Sequence, residues 1–380
     1  MTVGNSANSD GFTVTPVTSR RDLMAFIKYP LRLYRNDQCF VPHLLSERKE
    51  FFGPGNPLFE FTDVTYLLAR DARGDVVGRV TAHINHRHNE FTGESTGFFG
   101  FFECAERLDV ARALLQATDS WLGEKGMTVV RGPFNFSTNE ECGFLVDGFD
   151  KPPVFMMPYT KPYYVAFVEE LGYTHAKDLL AYDCAYQGCI PAHLERFSER
   201  VRERTDIKVR KMDMSRFELE VETVFNIYNS AWERNWGFVP MTRKEFKYAA
   251  RGLKPIVDPA VALIAEKEGE PVGFSLSLPD YNRLLRKMKG RLFPFGFLYL
   301  LLGKRSINRV RVILLGIIPQ YRNRGIDALL YYETFKRGLE KGYTSCEISW
   351  VLEDNVMMDR AARRMGAVPY KRYRIYEKKL

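Results

Sequence analysis

The stretch VRVILLGIIPQYRNRGIDALLYYETF, Val310–Phe335, joins an apolar run to a helical pattern through a short polar loop. The run is typical of a buried β-strand, and Pro319 ends its ladder. The first turn of the helix that follows has unpaired N–H groups and about half a positive charge from the helix dipole. Arg322 and Arg324 add charge, and Gly325 lets the backbone approach a ligand, so the loop predicts a pyrophosphate site. An ordinary strand–helix turn with solvated arginines is the alternative.

The composition is that of a folded protein with a positive excess. A chain of 380 residues is long for one core, so two domains or two fused repeats are expected. The net charge of +8 suits an anionic partner, and it does not distinguish a nucleotide cofactor from a lipid headgroup or nucleic acid. Six cysteines without pairing rhythm and a polar N-terminus without an apolar core predict a cytoplasmic protein that lacks a secretory signal.

Pairs of similar segments indicate an internal duplication. LLARDARGDVVGRV resembles LIAEKEGEPVGFSL, with Gly78 matching Gly273. EELGYTHAKDLLAYD pairs without a gap with RRMGAVPYKRYRIYE, with Gly172 matching Gly366. Chance similarity between α/β elements is the alternative to a duplication.

Each copy is predicted to contain helices, a hairpin, a strand, a helix, a strand, a helix and a final strand. Period-2 apolar runs such as AVALIAEK alternate with helical stretches such as DALLYYETFKRGLEKG. This pattern is α/β or α+β with a mixed sheet. We therefore expect a disordered tail over 1–12, an N-terminal domain over 13–185, and a C-terminal domain over 190–380 that carries an apolar and basic insert over 283–305.

Two motifs carry a resemblance to a known superfamily. IIPQYRNRGIDALL resembles motif A of the GCN5-related N-acetyltransferases (GNAT), whose consensus is Q/R-x-x-G-x-G/A. Gln320 and Gly325 fit, and Asn323 stands where the first glycine usually is, a position that asparagine tolerates. Asn355 and Gly366 in WVLEDNVMMDRAARRMGA resemble the second signature at the right spacing. The resemblance implies two tandem GNAT-like domains, each a mixed twisted sheet flanked by helices, of which the first is degenerate.

The resemblance implies a coenzyme A thioester, acetyl-CoA or a longer acyl-CoA, as donor. Its pyrophosphate would lie on the amides of Tyr321–Ile326 and its pantetheine along Leu315–Ile318, where the N–H of Ile317 would polarise the thioester carbonyl. Asn355 would lie near the thioester. The expected coenzyme-binding residues are Leu315, Gly316, Ile317, Ile318, Gln320, Tyr321, Arg322, Asn323, Arg324, Gly325, Ile326 and Asn355.

The corresponding loop of the first copy, AERLDVARALL, has no glycine and is surrounded by Glu103, Glu106 and Asp109. A turn rich in carboxylates would repel a pyrophosphate. One coenzyme A per chain is therefore expected, in the C-terminal copy, with the first copy as scaffold and as one wall of the acceptor site.

Several residues are candidates for the acid and the base of the acyl transfer. The resemblance implies a tyrosine acid where this chain has Ala362, so the thiolate leaves unassisted or takes a proton from another group such as Tyr376, whose alternative role is structural. Amide formation also needs a neutral amine. Asp280 and Glu353 are candidate bases, and either can instead be a turn or cap carboxylate.

Two regions are candidates for acceptor binding. Asn229, Trp232 and Trp236 lie in NSAWERNWGFVP, where the resemblance implies the acceptor pocket, and the two tryptophans can alternatively belong to the core. Asn139 and Glu141 lie in a glycine-, proline- and acid-rich insertion of the first copy, which lines the acceptor site or packs between the copies.

The second insertion, RLLRKMKGRLFPFGFLYLLLGKRSINRVR, places apolar residues between two basic flanks. It is too short to span a bilayer, so contact of 283–311 with an anionic membrane at its inner face competes with burial between the copies or in a dimer. The arrangement is similar to acyl-CoA-dependent N-acyltransferases of bacterial lipid metabolism, such as bacterial ceramide synthases.

The expected function is transfer of an acyl group from coenzyme A to a primary amine, with an amphiphilic or lipid amine favoured. An acetyltransferase of a soluble amine, an aminoacyl transferase of the FemX type and a non-catalytic acyl-CoA sensor are the alternatives. A metal is not expected, because the ligands of HINHRH would splay apart on a strand end. Nucleic acid is not expected as a partner either.

Overall fold

The computed structural model describes residues 11–185, 190, 192–233 and 235–380. Most of the tail expected over 1–12 lies outside these residues. Its last residue, Phe12, is buried in the core and begins the first strand, so the expectation is wrong at that point.

The chain divides into two compact units. Unit 1 comprises Met1–Leu179, Leu284–Tyr299 and Lys371–Leu380, and unit 2 comprises Leu180–Arg283 and Leu300–Tyr370. The first break falls near the expected domain boundary. The insert and the last strand differ from the expected C-terminal domain, because part of the insert and the C-terminal ten residues group with unit 1.

The described residues up to Ala185 form five α-helices and seven strands. In chain order these are β1 (Phe12–Pro16), α1 (Arg20–Leu33), α2 (Leu45–Phe51), β2 (Thr62–Asp71), β3 (Val76–Asn85), α3 (His86–Thr92), β4 (Thr96–Cys104), α4 (Leu108–Glu124), β5 (Val129–Gly132), β6 (Phe144–Asp147), α5 (Tyr163–Glu170) and β7 (Thr174–Ala185). The strand β7 continues into unit 2.

The remaining elements follow in the order of the second copy. They are α6 (Ala192–Thr205), β8 (Ile207–Lys211), α7 (Phe217–Trp232), α8 (Arg243–Leu253), β9 (Ala262–Lys267), β10 (Glu270–Pro279), α9 (Asn282–Met288), α10 (Gly296–Gly303), β11 (Arg309–Ile317), α11 (Ile326–Lys341), β12 (Ser345–Leu352), α12 (Val356–Arg364) and β13 (Val368–Lys379).

The two copies share one order of elements. After a hairpin (β2–β3 or β9–β10) and one or two short helices, each copy has a strand, a helix, a strand, a helix and a final strand, and the first copy has the additional strand β6. In each copy the strand after the hairpin pairs antiparallel with it and parallel with the next strand. This agreement supports the duplication and confirms the predicted pattern of a mixed sheet.

The sheet of unit 1 has the order β1–β2–β3–β4–β5–β13, with β6 also paired to β13. Helices such as α4 cover this sheet, and its strands therefore have alternating or continuous apolar sequences. Phe99, Phe102, Leu114 and Tyr376 belong to the main core.

The sheet of unit 2 has the order β12–β11–β10–β9–β8. The helix α11 packs Ile326, Leu329 and Leu330 against β9 and β10, and its residues repeat at the spacing of one buried helix face. Each unit therefore has a core of its own. None of the described helices combines the length and the hydropathy that crossing a bilayer requires.

Candidate active site

The strands β11 and β12 of unit 2 separate part-way along their length. Their parallel register runs from Arg309↔Ser345 to Val312↔Ile348, and among the described residues it ends there. The pairing of β11 with β10 continues to Ile317, and a register shift opposite Leu276 and Ser277 leaves Ile313 as an extra residue. A bulge of this kind bends a strand, and so β11 beyond Val312 has one open edge.

The open edge presents backbone N–H groups. The N–H of Ile318 donates to the carbonyl of Val272 on β10 over 3.0 Å. Because backbone groups alternate between the two sides of a strand, the N–H groups of Ile317 and Leu315 face away from β10. These are the groups that an extended ligand could use as a strand does.

Gly316 lies between those two residues and is needed for packing. A Cβ at this position would meet the ring of Trp232 at 2.5 Å. The ring of Trp232 also packs against Tyr228 and Phe274. Trp232 is half-buried and packs between α7 and the strands β10 and β11, and its role in acceptor binding stays a proposal.

The loop after β11 has two residues with left-handed backbone angles. Asn323 has φ of 60° and Gly325, the N-cap of α11, has φ of 80°. No side chain caps the helix, so the first-turn N–H groups of α11 remain available for a ligand. The prediction that Asn323 substitutes for a glycine is confirmed in its conformation.

The two loop arginines have different roles. Arg322 donates from Nη2 to the carbonyl of Ala231 at 2.8 Å and of Ser230 at 3.4 Å, at the carboxyl end of α7. Arg324 instead lies over the ring of Tyr321, 5.0 Å from its centroid. Both side chains are exposed, and the loop keeps its positive charge, although the acidic Asp327 lies in the first turn of α11.

A helix that the sequence analysis did not assign to the site packs against this loop. A Cβ at Gly325 would meet Val201 at 2.8 Å and Phe197 at 3.1 Å, both on α6. The exposed ring of Phe197 therefore borders the helix start. In the sequence Phe197 lies at helical spacing between Leu194 and Val201, so it has the pattern of a core position and gives no separate signal of a site.

A buried polar network joins β11 and β12 at the point where the two strands separate. We call the gap between the separating strands the fork. Arg311 donates from Nε to Ser349 at 2.9 Å, Ser349 donates to Glu347 at 2.5 Å, and Tyr370 donates to the other oxygen of Glu347. Arg311, Glu347 and Ser349 are all buried. The network satisfies its own charges and holds β11 and β12 together at the last residues of their shared register.

Sequence comparison agrees with this geometry. A profile of the Acetyltransferase (GNAT) family matches residues 221–367. The chain is 37% identical to Protein YghO of Escherichia coli (strain K12) over 95% of this chain and 94% of that protein. It is 36% identical to the Bacterial ceramide synthase of Caulobacter vibrioides (strain NA1000 / CB15N) over 99% of both chains. The chain belongs to the GNAT family.

Solved structures show the same fold. The tandem GNAT protein from the clavulanic acid biosynthesis pathway superposes with a TM-score of 0.57 over 97% of this chain and 98% of that chain, at 12% identity. A GCN5-related N-acetyltransferase from Sphaerobacter thermophilus gives 0.54 over 97% and 96%, at 14% identity. The protein therefore has two tandem GNAT-like domains and is an acyltransferase, of a family that uses acetyl-CoA or acyl-CoA.

The residues of unit 2 fit the coenzyme of a GNAT enzyme. The open edge at Leu315–Ile317, the two left-handed residues of the loop and the uncapped start of α11 follow one another along the chain. Asn355 is the N-cap of α12, and its side-chain oxygen accepts the N–H of Met358 at 3.1 Å. Its NH2 group makes no part of this cap and can donate to a ligand. Gln320 lies exposed in the turn Pro319–Tyr321.

The candidate proton-transfer groups have different surroundings. Asp280 accepts the N–H of Asn282 at 3.1 Å at the start of α9, which is the turn role. Glu353 is exposed after β12. Tyr376 is buried in the core of unit 1, its hydroxyl donates to Glu169 at 2.9 Å, and burial raises its pKa. These contacts favour the structural role for Tyr376.

The candidate acceptor residues of unit 2 are partly used by the fold. Asn229 on α7 both donates to and accepts from the backbone of Met241, at 3.1 Å each. This pair fixes the segment that follows α7. Trp236 lies half-buried in that segment. The structure therefore assigns Asn229 a structural contact and leaves its binding role as a proposal.

Unit 1 has the same fork, but its own chain fills it. The β4–β5 register ends at Phe98↔Arg131. Beyond it, Phe134 donates to the carbonyl of Phe99 at 2.7 Å, and the side chain of Asn135 accepts the N–H of Phe101 at 2.8 Å. A Cβ at Gly100 would meet the carbonyl oxygen of Phe134 at 1.7 Å. The segment 134–135 thus occupies the open edge.

Two of the three carboxylates around the corresponding turn of unit 1 have basic partners. Glu103 pairs with Arg79, and Asp109 pairs with Arg107, so these carboxylates do not act as free negative charges. Burial raises the pKa of Glu103. A second coenzyme would need the edge that the segment 134–135 occupies.

Glu141 and Asn139 lie on the loop that continues from this segment. Glu141 accepts from the amide of Asn135 at 3.0 Å and lies 3.5 Å from Arg48 and 3.6 Å from His43. The N–H of Asn139 donates to Ser137 at 3.2 Å. Glu141 therefore belongs to a cluster of charged groups in unit 1.

Proposed function

We propose that the protein transfers an acyl group from one coenzyme A thioester per chain, bound in unit 2, to a primary amine. The observation that carries this proposal is the continuous path from the open edge of β11 to the uncapped helix start at Gly325. In a GNAT fold both features are required of one site. The filled fork of unit 1 supports the stoichiometry.

Each segment of unit 2 has a distinct role in this proposal. The amides of 321–326 and the charge of Arg324 hold the diphosphate, while the N–H groups of Leu315 and Ile317 bind the extended arm and polarise the thioester carbonyl. The thioester supplies an activated acyl carbon. The NH2 group of Asn355 orients that end of the donor.

The acceptor amine must lose a proton before or during attack. Asp280 and Glu353 are the carboxylates that we propose for this step, directly or through water. Ala362, which is buried, offers no acid to the leaving group, and a thiol with a pKa near 8.5 can leave as the thiolate. The proposed contacts of the acceptor are Asn229, Trp232, Trp236, Asn139 and Glu141.

An amphiphilic amine is the acceptor that we favour. The relative named Bacterial ceramide synthase shares 36% identity over nearly the whole of both chains, so a similar acceptor class is the simplest proposal for this protein. Such an acceptor lies in a lipid surface, and we propose that the protein works at the inner face of the membrane through 283–311.

The test measures thiol release from acyl-CoA donors of increasing chain length, with a long-chain primary amine in detergent and with a short soluble amine. The proposal expects release that depends on the long-chain amine and an amide product by mass spectrometry. Release with acetyl-CoA and the soluble amine alone would replace it with a soluble-amine acetyltransferase. Saturable donor binding without release in any combination would indicate a sensor.

A further inference from the structure

The insert between β10 and β11 exposes an unusual number of large apolar side chains. Phe293, Phe295, Leu301 and Leu302 are each at least 70% exposed, and Leu298 and Tyr299 on the same helix α10 are also exposed. Elsewhere in the described chain, large exposed apolar side chains occur singly or as the pair Val356 and Met357. We call the residues 293–302 the apolar tip. These side chains are exposed, so the alternative that the insert is buried between the copies is wrong for the apolar tip.

The flanks of the apolar tip carry nearly all of the protein's excess charge. Seven lysines and arginines and no acid lie within 283–305, while the rest of the chain has 48 basic and 47 acidic residues. The segment thus supplies seven of the eight net positive charges. The exposed basic residues are Arg283, Arg286, Lys287, Lys289, Arg291, Lys304 and Arg305.

The base of the insert is attached to unit 1. Arg286 donates to the carbonyl of Gln38 at 2.5 Å, and the N–H of Leu45 donates to the carbonyl of Gly290 at 3.0 Å. At the tip, Phe297 donates to the carbonyl of Leu292 at 2.8 Å and its ring packs on Phe293. The tip is therefore a compact turn and helix on a fixed base, and not an extended loop.

We propose that the apolar tip inserts into the outer few ångströms of an anionic bilayer while the basic flanks bind its headgroups. A helix of eight residues is about 12 Å long, too short for a span of about 30 Å and compatible with a segment that lies in the interface. The exposed apolar side chains lose contact with water on insertion. Lysines and arginines on both sides then meet phosphate groups.

A second copy of this chain is the other occupant that such a surface could have. A two-fold interface places the same patch of both copies face to face. It would bring the seven basic residues of one flank set near those of the other, with no acid in the segment to neutralise them. An anionic lipid surface neutralises the same charges, and we therefore commit to the lipid.

The contact also has a consequence for catalysis, which rests on the proposed function. If the acceptor is an amphiphilic amine embedded in a bilayer, the tip positions the enzyme at the surface that holds it. Loss of the tip should then slow acylation of a vesicle-borne amine and leave acylation of a soluble short-chain amine unchanged.

The test is flotation of the full-length protein with phosphatidylcholine vesicles, with and without phosphatidylglycerol. The tip variant Phe293→Ser/Phe295→Ser/Leu302→Ser is compared with Phe91→Ser, which removes an exposed ring from unit 1. A charge variant, Lys304→Glu/Arg305→Glu, is compared with Lys208→Glu/Lys211→Glu on β8, where both lysines are exposed. Thermal melting and coenzyme A binding verify that each variant is folded.

Wild-type protein and both controls should bind the anionic vesicles, and the tip and charge variants should bind at least about tenfold less. Equal flotation of the tip variant, or no preference for the anionic vesicles, overturns the proposal. So does a wild-type dimer that the tip variant converts to a monomer without any vesicle binding. Flotation needs no turnover, so a protein that floats as expected but releases no thiol contradicts the proposed function alone.

Discussion

Arg322 donates from Nη2 to the carbonyl oxygen of Ala231 across 2.8 Å. Ala231 lies in the last turn of α7, whose carbonyl groups lack partners within the helix. The guanidinium therefore fastens the loop between β11 and α11 to the end of α7. The two loop arginines therefore have different contacts. Arg322 binds the end of α7, whereas Arg324 lies over Tyr321 within the loop.

Replacing the two arginines separately should reveal this difference. Arg322→Ala should lower the free energy of unfolding by about 0.5 kcal/mol, since a charge at a helix carboxyl end is lost, and should weaken coenzyme A binding. Arg324→Ala should leave the melting temperature unchanged and weaken binding mainly at low salt. Calorimetric titrations at two salt concentrations measure both effects. A larger loss of thermal stability in Arg324→Ala than in Arg322→Ala would contradict the assignment.

Gly325 can be tested against a glycine at the other end of the same helix. Gly325→Ala forces a side chain into a left-handed position and against Val201, so coenzyme A binding should weaken at least about tenfold. Gly342, the C-cap of α11, has φ of 97° and nothing near its Cβ position. Gly342→Ala should cost about 1 kcal/mol of stability with unchanged affinity.

The outcome at Asn323 completes that comparison. Asn323→Gly should preserve affinity, because glycine adopts the observed φ of 60° at least as easily. Equal weakening of binding in Gly325→Ala and Gly342→Ala would show that helix stability, and not the loop, controls the affinity.

Gly316 and Trp232 should behave as a coupled pair. Gly316→Ala places a Cβ 2.5 Å from the Trp232 ring, which should shift β11 or the ring and reduce thiol release. Adding Trp232→Leu removes the ring and should restore part of the lost activity, beyond the sum of the single effects. Additive losses in the double variant would mean that the contact does not position the open edge.

The stability of unit 1 should depend on pH through His83. His83 has no exposed surface, its Nε2 lies 3.2 Å from the Phe136 carbonyl, and burial lowers its pKa to about 3. The unfolded chain, with an ordinary pKa near 6.5, takes up the proton first. The contribution of neutral His83 to the free energy of unfolding is therefore fully present above pH 6.5 and is lost as the pH falls toward 3.

Between about pH 8 and pH 5 the loss amounts to about 2 kcal/mol. The measurement is denaturant unfolding of wild type and His83→Gln at both pH values, because other titrating groups are common to both proteins. The wild type should lose about 2 kcal/mol more than the variant. Parallel losses would show that His83 is not buried as a neutral imidazole.

The loop between β11 and α11 could be predicted from the sequence because neighbouring residues determine its backbone. A proline, a left-handed asparagine and a glycine before a helical pattern define one backbone path, and Asn323 and Gly325 adopt the expected angles. The order of elements in each copy followed from periodicity for the same reason.

Contacts between distant segments could not be predicted. Nothing near Arg322 indicates that its partner is Ala231, and nothing near Phe134 indicates that its carbonyl lies against Gly100. The network of Arg311, Ser349 and Glu347 depends on the register of two strands separated by α11. The last strand was assigned to its own copy because contiguity along the chain was the only guide, whereas Lys371–Leu380 group with unit 1.

The proposed function requires that the loop 320–326 of unit 2 holds the diphosphate of one coenzyme A per chain. Isothermal titration of coenzyme A into the wild-type protein tests it most directly. The account predicts saturable binding with a stoichiometry of one, which Gly325→Ala weakens and Gly342→Ala does not. Absence of saturable heat, or two equivalent sites per chain, would contradict it.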